Sequence, residues 1–222
     1  MDGPRTRGHG AARGKALEVL ALLEQAHADA HCALHHGDPW QLLVATMLSA
    51  QCTDERVNQV TPALFARCPD AAATAVADLG ELEELIRSTG FFRAKARNIQ
   101  ATAKVLVNEY GGAVPRELAA LVRLPGVGRK TANVVRGVAF GEAGMVVDTH
   151  VKRIAFRLGW TRAEDPARIE ADLCRLLPRE KWTRTGHVLI FHGRRICKAP
   201  TPLCSCCPVS PCCPRQGVTR SH

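Results

Sequence analysis

Leu124-Pro125-Gly126-Val127-Gly128-Arg129-Lys130-Thr131 is the stretch on which the reading of this chain turns. An apolar segment from Leu118 to Leu124 runs into Pro-Gly-Val-Gly, and a second helix-compatible run, Thr131 to Phe140, follows at once. Two helices joined by a tight hairpin are therefore expected. Gly126 and Gly128 carry no Cβ, so the backbone can turn sharply and come close to a ligand. Their amides, with the unsatisfied first-turn donors of the second helix, make a seat for a phosphate. The same letters also describe an ordinary glycine-stopped helix turn. Lys130, in the first turn of the second helix, sits where partial positive charge disfavours an ammonium, and a neutral amine is a nucleophile that can attack a sugar carbon and pass to a Schiff base. A phosphate-binding lysine is the other reading of the same residue.

The chain has 222 residues, enough for one large or two small domains with a real core. It carries 30 Lys and Arg against 21 Asp and Glu, and the net charge of +9 favours a polyanionic partner. Low aromatic content and abundant Ala, Leu and Arg point to a mostly helical protein. No window is long and apolar enough to span a bilayer. Residues 1–14 read as a flexible basic arm without the apolar core of a secretion signal. A reducing, cytoplasmic setting is therefore expected, where ten cysteines serve as thiols or metal ligands rather than disulfides.

Before the hairpin, Leu17, Leu20, Leu23 and Ala26 mark a helix, and Trp40 to Ala50, opened by Pro39, reads as a buried central one. His31, His35 and His36 share no thiol or carboxylate cluster, so a metal site there is not favoured. Thr53 or Asp54 caps a helix over 55–67, and short helices are expected over 71–77 and 81–87. Gly90 stops the last of these and puts Phe91 and Phe92 on a loop tip, where paired aromatics either pack or wedge into a base stack. A long amphipathic helix over 93–110 leads through Pro115 into the hairpin. Beyond it, Asp148 has the position of an N-cap, which alone would explain an aspartate. A capping carboxylate also keeps its negative charge when partly buried, and a fixed anion suits positive charge developing on a sugar or assists a nearby amine.

Leu124-Pro-Gly-Val-Gly-Arg-Lys130-Thr-Ala-Asn-Val-Val135, followed by Val146-Val-Asp148-Thr-His150, closely resembles the helix-hairpin-helix and Gly/Pro-Asp signature of the endonuclease III family of DNA glycosylases. Met47-Leu-Ser-Ala-Gln51-Cys-Thr-Asp54 is similar as well, and the likeness runs from about Ala16 to Cys213. It implies an all-α fold, two helical domains flanking a DNA-binding cleft. A six-helix domain with the helix-hairpin-helix spans residues 32–142, and an iron–sulfur domain is built from 15–31 plus 143–222. By resemblance Lys130 is the nucleophile and Asp148 its electrostatic partner.

Cys197, Cys204, Cys207 and Cys213 form the C-x6-C-x2-C-x5-C pattern with which that family holds a [4Fe–4S] cluster. From chemistry alone, four thiolates in a proline-rich loop suit either an iron–sulfur cluster or a tetrahedral zinc. Cys206 and Cys212, adjacent to ligands, are assigned as free thiols because they break the family spacing. Arg194, Arg195 and Arg215 are expected to add positive charge to that loop.

The resemblance implies base excision on duplex DNA by a monomeric enzyme, nucleoid-associated in a bacterium. Its partners are damaged pyrimidines, oxidised ones in particular, and abasic sites. Gln51 fills the space left by an everted nucleotide and Phe91 takes the place of a second wedge. Gly126 and Gly128 amides hold a phosphate with help from Val127 or Lys130, and Arg129, Thr131 and His150 are further DNA contacts. Two rivals are an adenine-mismatch glycosylase of the same superfamily and a non-catalytic, metal-stapled DNA-binding module. The first generally lacks the hairpin lysine and uses a carboxylate on the buried helix, where 40–50 holds none. The second would bind with salt dependence and no lesion preference.

Overall fold

The computed structural model describes residues 6–222. The opening of the expected arm, residues 1–5, lies outside the described residues. From Thr6 onward the chain is helical, so residues 6–14 continue the first helix rather than extend as an arm. Good helix formers at Ala11, Ala12, Arg13 and Lys15 support that extension.

Eleven α-helices follow in order: α1 (Thr6–Ala26), α2 (Pro39–Leu48), α3 (Asp54–Arg67), α4 (Ala71–Val76), α5 (Leu79–Leu85), α6 (Phe92–Tyr110), α7 (Leu118–Leu121), α8 (Arg129–Ala139), α9 (Thr149–Arg157), α10 (Pro166–Leu176) and α11 (Trp182–Arg195). The described residues hold no strand, and none of their helices is long and apolar enough to cross a membrane. The chain divides into two compact units: Ala33–Glu142, and a second built from both chain ends, up to Cys32 and from Ala143 on.

In the Ala33–Glu142 unit, α2 is buried from Trp40 and Leu42 through to Leu48. Leu42, Leu43 and Leu48 belong to a core that includes Leu82, Leu106 and Leu121. Asp38 starts α2 by accepting the Gln41 N–H at 2.8 Å, with Pro39 in the first turn. Thr53, not Asp54, caps α3 by accepting the Arg56 N–H. Asp70 and Asp78 do the same for α4 and α5.

The unit made from the two chain ends packs Leu20 and Leu23 of α1 with Ile154, Ile169, Leu173, Val188 and Leu189. Arg184 of α11 ties the end of α1 to this unit, donating to the carbonyls of His27 and Ala28 at 3.0 and 3.1 Å and to that of Ala30. A cation on orphan C-terminal carbonyls is a favourable end for a helix. Helices α10 and α11 were not read from the sequence. Asp165-Pro166, an N-cap followed by a first-turn proline, was the available signal for α10.

The hairpin is a short α7, a turn and α8. Gly126 has φ +73°, and a Cβ there would lie 2.8 Å from Asn98 of α6. Gly128 has an ordinary φ of −86° and open space where its Cβ would be. Only the first glycine is required by the turn; the second keeps the surface clear. Buried Thr102 of α6 donates its hydroxyl to the Pro125 carbonyl at 2.7 Å and seats the turn on that helix.

Gly126→Ala is expected to destabilise the protein by about 1–2 kcal/mol from the left-handed backbone alone, with the Asn98 contact adding to it. Gly128→Ala should stay within about 0.5 kcal/mol of wild type. Urea unfolding of the two variants measures both, and equal losses would contradict this division of roles.

Candidate active site

Among the described residues, six helices are closed at their N-termini by an Asp or Thr side chain; α8, like α6, α7 and α11, is not. Its N-cap is Gly128, and the first amide with a helical carbonyl partner is that of Ala132, bonded to Gly128 at 3.0 Å. The first-turn amides before it point out of the helix end. Val127 differs from expectation here. Its N–H donates to the Leu124 carbonyl within the turn at 3.1 Å and its side chain is buried, so this amide is already paired.

Lys130 is exposed in the first turn of α8, Arg129 is exposed beside it and Thr131 is half-buried. Ala132, Asn133, Val134 and Val135 supply the buried face that holds this end of the helix in place. Gln51 and Phe91 lie in the same unit, both exposed and both at positive φ, +53° and +48°. Phe92, expected to share the tip with Phe91, instead begins α6. It is half-buried, with the guanidinium groups of Arg87 and Arg93 at 5.7 and 5.5 Å from its ring centre. The pair of exposed aromatics is therefore one exposed aromatic and one packed one.

Asp148 belongs to the other unit. Its Oδ1 accepts the Val151 N–H at 2.8 Å and closes α9. His150 is half-buried. A Cβ on Gly193 of α11 would fall 2.7 Å from its Nδ1, so α9 and α11 meet there at a spacing only glycine allows. Burial depresses the basicity of His150, Asp148 opposes this, and Arg153 adds to it while approaching Nδ1 at 3.1 Å. His150 is thus packed against α11 with its Nδ1 facing the Arg153 guanidinium.

Arg153 and Arg157, one turn apart on α9, were missed in the sequence. Arg153 donates to the carbonyls of Cys197 and Gly193, at 3.0 and 3.1 Å from Nη2. Buried Arg157 donates to Lys198 O at 2.8 Å and Pro200 O at 3.3 Å, and its Nη1 stands 3.3 Å from Cys197 Sγ. The helix begun by Asp148 therefore buckles the cysteine loop from within. Spacing of i and i+4 was the only available hint.

Cys197, Cys204, Cys207 and Cys213 line one pocket, walled by Ile154, Leu158, Ile196 and Val209. Cys206 and Cys212 are exposed and direct their thiols to the carbonyls of Leu203 and Val209. Among the described residues no three His, Cys, Asp or Glu side chains are gathered tightly enough for a single ion, at His31, His35 and His36 included. Burial pushes the Cys207 thiol up to about 11, and Cys197, Cys213 and Cys204 push the same way. Cys213 is raised for the same reasons, burial first. His192 faces Cys207 Sγ from 3.7 Å; burial first, and then His27 at 3.0 Å, together take its basicity down to about 4. Arg195 pairs with the Asp29 carboxylate through both nitrogens at 2.9 and 2.7 Å, which offsets its charge, whereas Arg215 donates to the neutral hydroxyl of Ser210 and keeps its charge.

Residues 44–179 match the family model described as HhH-GPD superfamily base excision DNA repair protein. Endonuclease III of Synechocystis sp. is 55% identical over 201 residues, 90% of this chain and 92% of that protein. Endonuclease III of Bacillus subtilis is 48% identical over 192 residues, 86% and 87% of the two chains. The solved structure of a trapped endonuclease III–DNA covalent intermediate, in an estranged-adenine complex, superimposes with a TM-score of 0.86 at 46% identity, covering 90% of this chain and 95% of that one.

Replacing Arg157 by Leu leaves the Lys198 and Pro200 carbonyls without their buried donor and is expected to cost about 2–4 kcal/mol. Arg157→Lys should recover only part of it, because an ammonium cannot span the same carbonyls. Urea midpoints of the two variants test this; a midpoint unchanged in Arg157→Leu would remove the buckle.

Proposed function

We propose that this chain, which belongs to the HhH-GPD superfamily of base excision DNA repair proteins and within it to the endonuclease III family, uses Lys130 as its nucleophile and Asp148 as the partner anion. It is a base excision repair DNA glycosylase and AP lyase. Neither an adenine-mismatch glycosylase nor a non-catalytic DNA-binding module is favoured. The observation that carries the assignment is the uncapped end of α8, with Lys130 exposed in its first turn.

Amides at an open helix N-terminus bind a phosphate oxygen and help fix the damaged strand there. Gln51 and Phe91 enter the base stack as the damaged nucleotide turns out, at a cost of about a few kcal/mol that is lower at a lesion. Lys130 Nζ attacks C1′, and the C1′–N bond to the base breaks with its electron pair leaving on the base. The aminal then opens to an imine between Nζ and C1′. Loss of a C2′ proton expels the 3′ phosphate and cuts the strand by β-elimination, and water releases the sugar from Lys130. Asp148 steadies positive charge on the sugar and assists the amine. We assign the substrate class as oxidised pyrimidines and abasic sites in duplex DNA, acted on by a cytoplasmic monomer.

Cys197, Cys204, Cys207 and Cys213 would hold a [4Fe–4S] cluster. Four thiols lining one pocket at the spacing C-x6-C-x2-C-x5-C suit a four-iron cube held at its corners. Crowded thiols that raise one another need a cationic core to ionise. When bound, the cluster supplies a rigid staple for the loop.

Borohydride added during reaction with an abasic-site duplex is expected to trap a covalent adduct with wild type and none with Lys130→Ala. An undiminished adduct in that variant would reject the nucleophile. Asp148→Asn should retain the adduct and lower single-turnover excision by about a hundredfold. Iron is expected to give a visible thiolate-to-iron band that zinc would not. A panel of single-lesion duplexes checks the substrate class, with oxidised pyrimidines cut fastest.

A further inference from the structure

Lys95 stands out as a buried cation that the mechanism above does not use. It lies on the first turns of α6, is 7% exposed, and sits in the core-facing row with Ala96, Ile99 and Ala103. Burial works against its charge, with only Cys52 acting the other way. A methionine would fill such a place without that penalty, so the ammonium is there for what it bonds.

Its Nζ donates to two backbone carbonyls, Leu48 O and Thr89 O, each at 2.8 Å. Leu48 is the last residue of α2, three before Gln51. Thr89 ends the 3-10 turn Arg87–Thr89, two before Phe91. The backbone N–H of Lys95 also donates to Phe91 O, at 3.1 Å. One side chain therefore joins the two short segments that present the exposed polar and aromatic tips. Phe91 is 69% exposed and Gln51 is exposed too.

Both tips are held in left-handed backbone, which in the described residues occurs at one other non-glycine position, Arg215. An L-residue stays in that region only where its surroundings over-determine it, and such strain is characteristic of functional loops. At Gln51 the local turn supplies part of the restraint through Cys52 N–H to Ser49 O at 3.1 Å. At the other segment the Thr89 hydroxyl bonds Ile86 O at 2.8 Å. These bonds shape each turn separately. The Lys95 ammonium is bonded to both.

We infer that Lys95 is a positioning residue which, by bridging Leu48 O and Thr89 O, sets the spacing of Gln51 and Phe91 as a two-pronged wedge for the opened duplex. The inference rests on the reading of Gln51 and Phe91 given above. Lys95 touches no substrate in this account; it acts through the two residues whose loops it joins. A wedge that must enter a base stack with both prongs gains from a fixed separation, because a misplacement of about 1 Å can cost a hundredfold in a positioned reaction.

The test uses the full-length protein and a duplex carrying a tetrahydrofuran abasic analogue, with 2-aminopurine opposite it. Wild type is expected to give a fluorescence rise as the opposite base unstacks, and to prefer this duplex over an undamaged one. Lys95→Met should lose the rise and reduce the lesion-over-undamaged affinity ratio by about tenfold, with both values corrected for the folded fraction. A purely structural role would lower the melting temperature and leave the ratio and fluorescence per folded molecule as in wild type. That result overturns the inference. In a Gln51→Ala/Phe91→Ala background, Lys95→Met should change the ratio by less than about twofold, because the effects are coupled; independent, multiplying effects also overturn it.

Lys95→Gln, which keeps two N–H donors on a shorter arm, should restore part of the ratio, and it carries the same comparison where Lys95→Met does not fold. Wild-type behaviour of the Gln51→Ala/Phe91→Ala protein would remove the wedge and the Lys95 role together. Adduct formation by Lys130 would stand apart from that failure.

Discussion

A helix begins with amides that its own carbonyls cannot reach, and something must meet them. Six of the described helices meet it with a side-chain cap, while α6, α7, α8 and α11 do not. Where Asp38, Thr53, Asp70, Asp78, Asp148 or Asp165 turns a side-chain oxygen inward, the helix is closed and structural. At α8 the cap is a glycine with no oxygen to offer and open space around it, and the lysine follows two residues later. The hairpin's buried contacts exist to hold that open end still: Thr102 on Pro125, Asn98 against Gly126, and Val134 and Val135 in the core.

The same constraint places Asp148 at the start of α9, with its Oδ1 on the Val151 N–H. Closing α9 fixes the carboxylate by a bond to the chain itself, so the anion needs no further scaffold. Arg153 and Arg157 then extend α9 into the cysteine loop through its carbonyls. The thiol pocket and the capped carboxylate thus share one short helix, packed against α11 at Gly193. The cysteine loop, distant from Asp148 in sequence, is thereby tied to the helix that Asp148 begins.

Much of this was legible beforehand because it depends on local rules. The cap at Asp148, the glycine turn before Lys130, the buried α2 after Pro39 and the thiol spacing each follow from a few neighbouring letters. Errors came where the letters had two meanings. Phe91 and Phe92 are the same residue side by side, and only the start of α6 between them decides that one is exposed and the other packs under Arg87 and Arg93. Val127 sits among donors, yet its amide is the one that closes the turn. Arg195 looked like free charge and is held by Asp29, 166 residues away.

The sequence alone determined the helical class, the family resemblance and the residue types at each chemical position, since helix caps, glycine turns and cysteine spacing are short-range. Tertiary structure decided which polar groups remain available and which are tied down. Lys95 reads as one more surface cation on an amphipathic helix until its ammonium is seen on carbonyls 47 and 6 residues distant. Burial and long-range hydrogen bonding depend on contacts between elements, and no local pattern encodes them.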